Sequence, residues 1–189
     1  MKKWMCGVPA LMLAFSGLAQ AQPIEGAVSE ADISARNGAL AIMSAAWQGQ
    51  GTSYPRGTDM VIELGIDWSC APGLNAALTL CDIDYESGGT HYLAHDIYQI
   101  DPRSGDLLVS YHGITNPIVH RYAIERFTLE NGGFSIRATV TDLVGGQMSD
   151  MVLEIEVVDD HLTRRASSRP AGSDDAFHLD TLAELDRVM

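Results

Sequence analysis

Residues 134–141 read Phe134-Ser135-Ile136-Arg137-Ala138-Thr139-Val140-Thr141. Apolar side chains stand at every second position, with polar ones between them. Successive side chains of a strand point to opposite faces, so this stretch describes one buried face and one solvated face. The pattern recurs in Met60, Ile62, Leu64, Ile66 and Trp68, and again in Met151, Leu153, Ile155 and Val157. Residues 76–85, 91–100, 107–113, 119–129 and 161–168 are further strand candidates. Turn signals separate them: Ser87-Gly88-Gly89, Asp101-Pro102-Arg103-Ser104-Gly105, Asn131-Gly132-Gly133 and Gly145-Gly146. Short connections join antiparallel neighbours. No helix-length segment interrupts the series, which argues against a parallel α/β sheet. Eight or nine consecutive strands form a meander, and closing it on itself removes the exposed edges. The predicted fold is mainly β, a single antiparallel meander β-barrel over residues 47–168, with a two-sheet sandwich as the competing arrangement.

The flanks follow other periods. Residues 1–21, MKKWMCGVPALMLAFSGLAQA, combine a basic start at Lys2 and Lys3, a short apolar run and the small-x-small end Ala19-Gln20-Ala21. That is the pattern of a secretory signal peptide cleaved after Ala21. The run is too short to cross about 30 Å of hydrocarbon. Residues 22–46 read as a helical lead-in, with Ser29 as N-cap and Glu30 and Asp32 in the first turn. Residues 169–189 read as a linker and a C-terminal helix. Leu179, Leu182, Leu185 and Val188 share one helical face there, and Ser173-Asp174-Asp175 is placed to cap it.

The chain has 189 residues and a net charge of −13. Both lysines sit in the leader, so the remainder sets ten arginines against 25 acids. Such a surface repels nucleic acid and anionic membranes. No later segment reaches the length of a membrane-spanning helix, so stable membrane insertion is not expected. The expected destination is the periplasm, or the outside, of a bacterial cell. Two cysteines remain after the leader, Cys70 and Cys81, with the turn Pro72-Gly73 between them. In an exported protein such a pair is expected to form a disulfide clamping neighbouring strands. A redox or thiolate-metal motif has different spacing.

Six histidines follow the leader. His91 and His95 are four apart and share a strand face, while Asp96 points to the opposite one. With His112 on a neighbouring strand they offer donors for a metal or haem, although surface histidines are the simpler reading. Asp82, Asp84 and Glu86 alternate along a strand but lack the spacing of a calcium loop, and read as a solvated face. No G-x-S-x-G, HExxH or P-loop occurs, and no cysteine stands in a nucleophile's context. The sequence therefore leans away from catalysis.

Trp47-Gln48-Gly49-Gln50-Gly51 opens the first strand and is followed by Tyr54-Pro55. Glycines at alternate positions permit close backbone approach and sharp bending at a barrel corner, and the Trp can plug a closed end. With the helical lead-in and the strand run, W-x-G-x-G resembles the calycin group: lipocalins, fatty-acid-binding proteins and nitrobindin-type haem barrels. The Tyr-Pro is similar to that of nitrobindins, although Arg56-Gly57 replaces the Thr-Ile usual there. The resemblance is close only in the first strand, and extends as strand order over roughly residues 40–168. It implies a small apolar ligand inside the barrel. Phe177-His178-Leu179 resembles the His-Leu of the last nitrobindin strand, where the histidine carries haem.

The preferred functional reading is a non-catalytic exported barrel that binds a small hydrophobic molecule without a cofactor. Its expected lining is Trp47, Ile62, Leu64, Ile66, Phe134, Ile136, Leu153 and Ile155. The alternatives are a haem barrel acting on reactive nitrogen or oxygen species through His178, His91 or His95, and a solidly packed structural or interaction barrel.

Overall fold

The computed structural model describes residues 29–188, apart from 74–76, 102–103, 131–132 and 145. The expected leader, with Cys6, lies outside the described residues, as do the turn residues Pro102, Arg103, Asn131, Gly132 and Gly145. A helix, α1 (Glu30–Met43), precedes ten strands. These are β1 (Ala46–Ser53), β2 (Ile62–Pro72), β3 (Leu78–Ser87), β4 (Thr90–Ile100) and β5 (Leu107–Gly113), then β6 (Ile118–Glu130), β7 (Gly133–Val144), β8 (Gln147–Val158), β9 (His161–Pro170) and β10 (His178–Val188). Each strand pairs antiparallel with its sequence neighbour, and β1 also pairs with β10, so the sheet closes into a barrel. The mainly β, meander-barrel expectation is what the structure shows.

The C-terminal helix is not there. Residues 178–188 form β10, which fills the gap between β1 and β9. The i, i+3 spacing of Leu179, Leu182, Leu185 and Val188 misled because two separate faces share it. Leu185 is sealed in the barrel, whereas Val188 lies exposed on the outside. A register shift between Leu179 and Thr181 breaks the alternation that would have marked a strand. Two open strand edges, on β1 and β9, outweigh the helix propensity of Leu, Ala and Glu. The strands number ten rather than eight or nine, and the barrel extends to Val188 instead of ending near residue 168.

The W-x-G-x-G reading has a steric cause. A Cβ on Gly51 would stand 2.8 Å from the carbonyl oxygen of Leu182 and 2.7 Å from Ile66 Cδ1. One on Gly49 would strike the carbonyl of Glu184. Here β10 lies close against β1, and only glycine leaves room. Trp47 is fully buried opposite Trp68, and its indole Nε1 donates to the Met43 carbonyl at 3.0 Å. Helix and first strand are thus pinned together at one end of the barrel. Ala39, Leu40 and Met43 of α1 join the barrel's own core there. Thr79 Oγ1 donates to the Leu40 carbonyl, and Arg36 donates to the Gly105 carbonyl. Cys70 and Cys81 are directly opposed on β2 and β3, point inward and form a disulfide, as their placement in the sequence predicted.

Candidate functional site

Strand direction fixes what faces the lumen. On β4 the buried series is Ala94, Asp96, Tyr98 and Ile100, and on β9 it is Leu162, Arg164 and Ser168. Asp96 and Arg164 are therefore in phase with the apolar face. They stand on strands far apart around the barrel, and their side chains meet across the lumen, with Arg164 Nε 3.7 Å from Asp96 Oδ2. Asp96 is fully buried and Arg164 nearly so. Tyr98 donates its hydroxyl to Asp96 Oδ2 at 3.0 Å. The Arg164 guanidinium lies over the Tyr111 ring, 5.7 Å from its centre.

The pair is incompletely satisfied. Arg164 Nε and Asp96 Oδ1 are sealed from solvent and have no hydrogen-bond partner. Burial raises the Asp96 carboxyl above its ordinary value of 3.8, against the pull of Arg164 and of the Tyr98 hydroxyl. Arg164 keeps its charge, because a guanidinium does not give up its proton in proteins. Tyr85, Tyr111 and Tyr122 surround it. Burial pushes all three phenols upward, so they remain protonated donors. None of their hydroxyls hydrogen-bonds to a described residue, and none is among the sealed polar atoms. One guanidinium and three phenols thus lie together in a polar chamber of the lumen, with N–H and O–H groups that no described residue accepts.

Next to this cluster, His120 on β6 is buried opposite Tyr111 of β5. Its Nδ1 lies 3.0 Å from Asp142 Oδ2. The ring lies nearly parallel to Tyr111, with centres 6.1 Å apart, and edge-on to Tyr122, with centres 6.2 Å apart. The hydrogen bond from His120, with one from the Leu143 backbone amide, holds the Asp142 carboxyl below its ordinary value.

The end beyond this chamber, away from α1, has a tied rim. Arg56 donates to Ser168 Oγ at 2.7 Å and pairs with Asp180 at 3.6 Å, and Ser168 also donates to Asp180. His178 Nε2 lies 2.8 Å from the Tyr54 carbonyl. These contacts fix the β1–β2 connection to the start of β10.

The eight expected lining residues divide. Trp47, Ile66, Phe134, Ile136, Leu153 and Ile155 are buried in the common core, while Ile62 and Leu64 on β2 are only half-buried toward the tied rim. His91 and His95 project from the outer wall, where their Nδ1 atoms pair with Asp84 and Asp82. Asp96 faces inward, as expected from its offset to them. His112 is opposite His95 in register, but no group of three potential metal ligands forms among the described residues. His178 stands exposed at the rim.

Arg164, the tyrosines and His120 were not singled out from the sequence, and Asp96 was placed on its face without a role. A signal was present, because Asp96 and Arg164 each fall in step with apolar neighbours two residues away. Such a charge inside a strand pattern marks a buried ion.

No known protein family matches the chain, and no curated protein does. The fold is similar to the crystal structure of Rv2717c from M. tuberculosis, with a TM-score of 0.62 at 10% sequence identity. The alignment covers 80% of this chain and 96% of that one. At that identity the likeness concerns the fold.

Proposed function

We propose that the chain is an exported, calycin-type carrier, which holds a small apolar molecule by an acidic or acceptor-rich head and does no chemistry on it. The observation that carries this is Arg164: a buried cation with an unpartnered Nε, facing a carboxyl that burial pushes toward neutrality and three free phenol hydroxyls. A ligand carboxylate satisfies this set of donors, because a guanidinium and carboxylate match two hydrogen bonds at once. Leu64 and Val140, half-buried against the core, offer apolar surface for the rest of the molecule. The leader pattern and the disulfide both suit an oxidising, exported setting.

The test is native mass spectrometry of protein purified from the periplasm, followed by calorimetric titration with decanoate. A co-purified acidic amphiphile is expected, together with decanoate binding that Arg164→Met abolishes while the melting curve stays cooperative. Decanoate binding unchanged in Arg164→Met defeats the reading.

A second reading has one observation behind it. His178 lies in the last strand, as the haem-carrying histidine does in the barrels the sequence resembles. Its Nε2 would have to leave the Tyr54 carbonyl to reach an iron. A Soret band in the purified protein that is lost in His178→Ala would put this reading first.

A further inference from the structure

His120 is more than a packed ring. The carboxylate of Asp142 can only accept, so the imidazole nitrogen facing it, Nδ1, carries the proton. In the neutral ring Nε2 is then a bare acceptor. It hydrogen-bonds to no described residue and is not among the sealed polar atoms, although the residue is only 4% exposed. The other groups there without a hydrogen-bond partner are the Arg164 guanidinium, the hydroxyls of Tyr85, Tyr111 and Tyr122, and the sealed Asp96 Oδ1, so that donors outnumber pure acceptors. A buried acceptor held in one tautomer by a carboxylate, among donors, is complementary to a ligand that has a donor of its own.

Arg164 and His120 are both neighbours of Tyr111. The Arg164 guanidinium lies 5.7 Å from the centre of that ring, and the His120 ring centre lies 6.1 Å from it. A ligand whose carboxylate meets Arg164 beside Tyr111 thus has His120 within reach of its chain. We propose that the His120–Asp142 pair is a second ligand contact, and that it selects hydroxy acids over plain fatty acids. This rests on the carrier reading above and names the ligand class for the same chamber. An apolar pocket does not reject a molecule for lacking a hydroxyl, whereas a site with a buried acceptor does, since the acceptor is left unpaired.

The experiment is calorimetric titration with decanoate, 3-hydroxydecanoate and 6-hydroxydecanoate, on the wild-type protein and on His120→Leu, Asp142→Asn and Arg164→Met. At least one hydroxy acid is expected to bind about tenfold tighter than decanoate. His120→Leu should erase that preference and leave decanoate affinity within about threefold. Asp142→Asn should weaken the preference, because the amide can donate to Nδ1 and move the ring proton to Nε2. If His120→Leu does not fold, His120→Gln and the wild-type imidazole resonances decide instead. The His120 Cε1–H signal should shift with the preferred hydroxy acid and not with decanoate. Equal wild-type affinity for all three acids overturns the proposal, and so does a preference that survives His120→Leu. Decanoate bound through Arg164 without any hydroxyl preference leaves the carrier reading standing and defeats this inference alone. No binding of any acid defeats both.

Discussion

The two halves of the barrel lumen are built by the same strands with the same alternation, yet they do opposite things. Toward α1 the inward residues are Trp47, Trp68, Ile100, Leu107, Phe134, Val157 and Leu162, all buried and none of them charged, with Leu40 and Met43 closing the end; of their polar atoms Trp68 Nε1 lacks a partner. Away from α1 they become Asp96, Arg164, Tyr111, Tyr122, His120 and Asp142, where the atoms that lack partners belong to a charged pair, Arg164 Nε and Asp96 Oδ1. The first half follows the ordinary logic of a core, in which apolar surface leaves water and packs closely. The second half works against it. A buried ion pair at 3.7 Å with an orphaned nitrogen and oxygen is a poor source of stability, since desolvation offsets the attraction. Apolar residues of the same size would suit the fold as well or better. The contrast separates the part of the lumen that holds the molecule together from the part available to something else.

The sharpest way to break this contrast is at the sealed end. Trp47→Ala removes a fully buried indole, its hydrogen bond to the Met43 carbonyl and the platform under Arg187. It should cost about 3–5 kcal/mol in urea unfolding, and a loss below about 1 kcal/mol would show that this end is not the structural half. The disulfide comes next. Cys70→Ser opens a bridge between directly opposed strands whose cysteines are 11 residues apart in sequence. The expected loss is about 2–4 kcal/mol. An unchanged melting temperature would mean that the β2–β3 pairing needs no clamp.

How much of this was legible in the sequence differs between the same two halves. Alternation of Phe134, Ile136, Ala138 and Val140 identifies a buried face without reference to its partner, so the apolar wall could be read directly. Gly49 and Gly51 were legible as a close approach, although only the structure shows that β10 is the strand that approaches. The polar chamber was harder, because its partners come together from distant strands. Asp96 and Arg164 are 68 positions apart, and nothing local couples them. Their phase within their own strands was the available sign. Residues 178–188 were misread for a related reason, since β10 owes its conformation to the two edges it fills and little to its own pattern.

The smallest expected effect is one of slope, and it tests the chamber itself. Asp96 is fully buried, and burial raises its carboxyl above 3.8 despite Arg164. Below that value the group is protonated in the folded and unfolded chains alike, and its contribution is fully present. As pH rises from there toward the folded value, the unfolded chain releases the proton first, so the folded chain binds more protons and stability falls. Asp96→Asn lacks this decline. Its stability relative to wild type should rise from about pH 4 upward and level off once the folded carboxyl has ionised. Asp142 carries the opposite sign. The hydrogen bond from His120 lowers its carboxyl, so its contribution is present above 3.8 and lost as pH falls. Asp142→Asn should therefore be destabilised at neutral pH, and its deficit should shrink on acidification. Urea unfolding of both variants across the range gives two lines that approach on acidification from opposite sides of zero change. If the Asp96→Asn line falls with pH, Arg164 has overcome burial, the pair is a true ion pair, and the guanidinium is already answered from within the barrel.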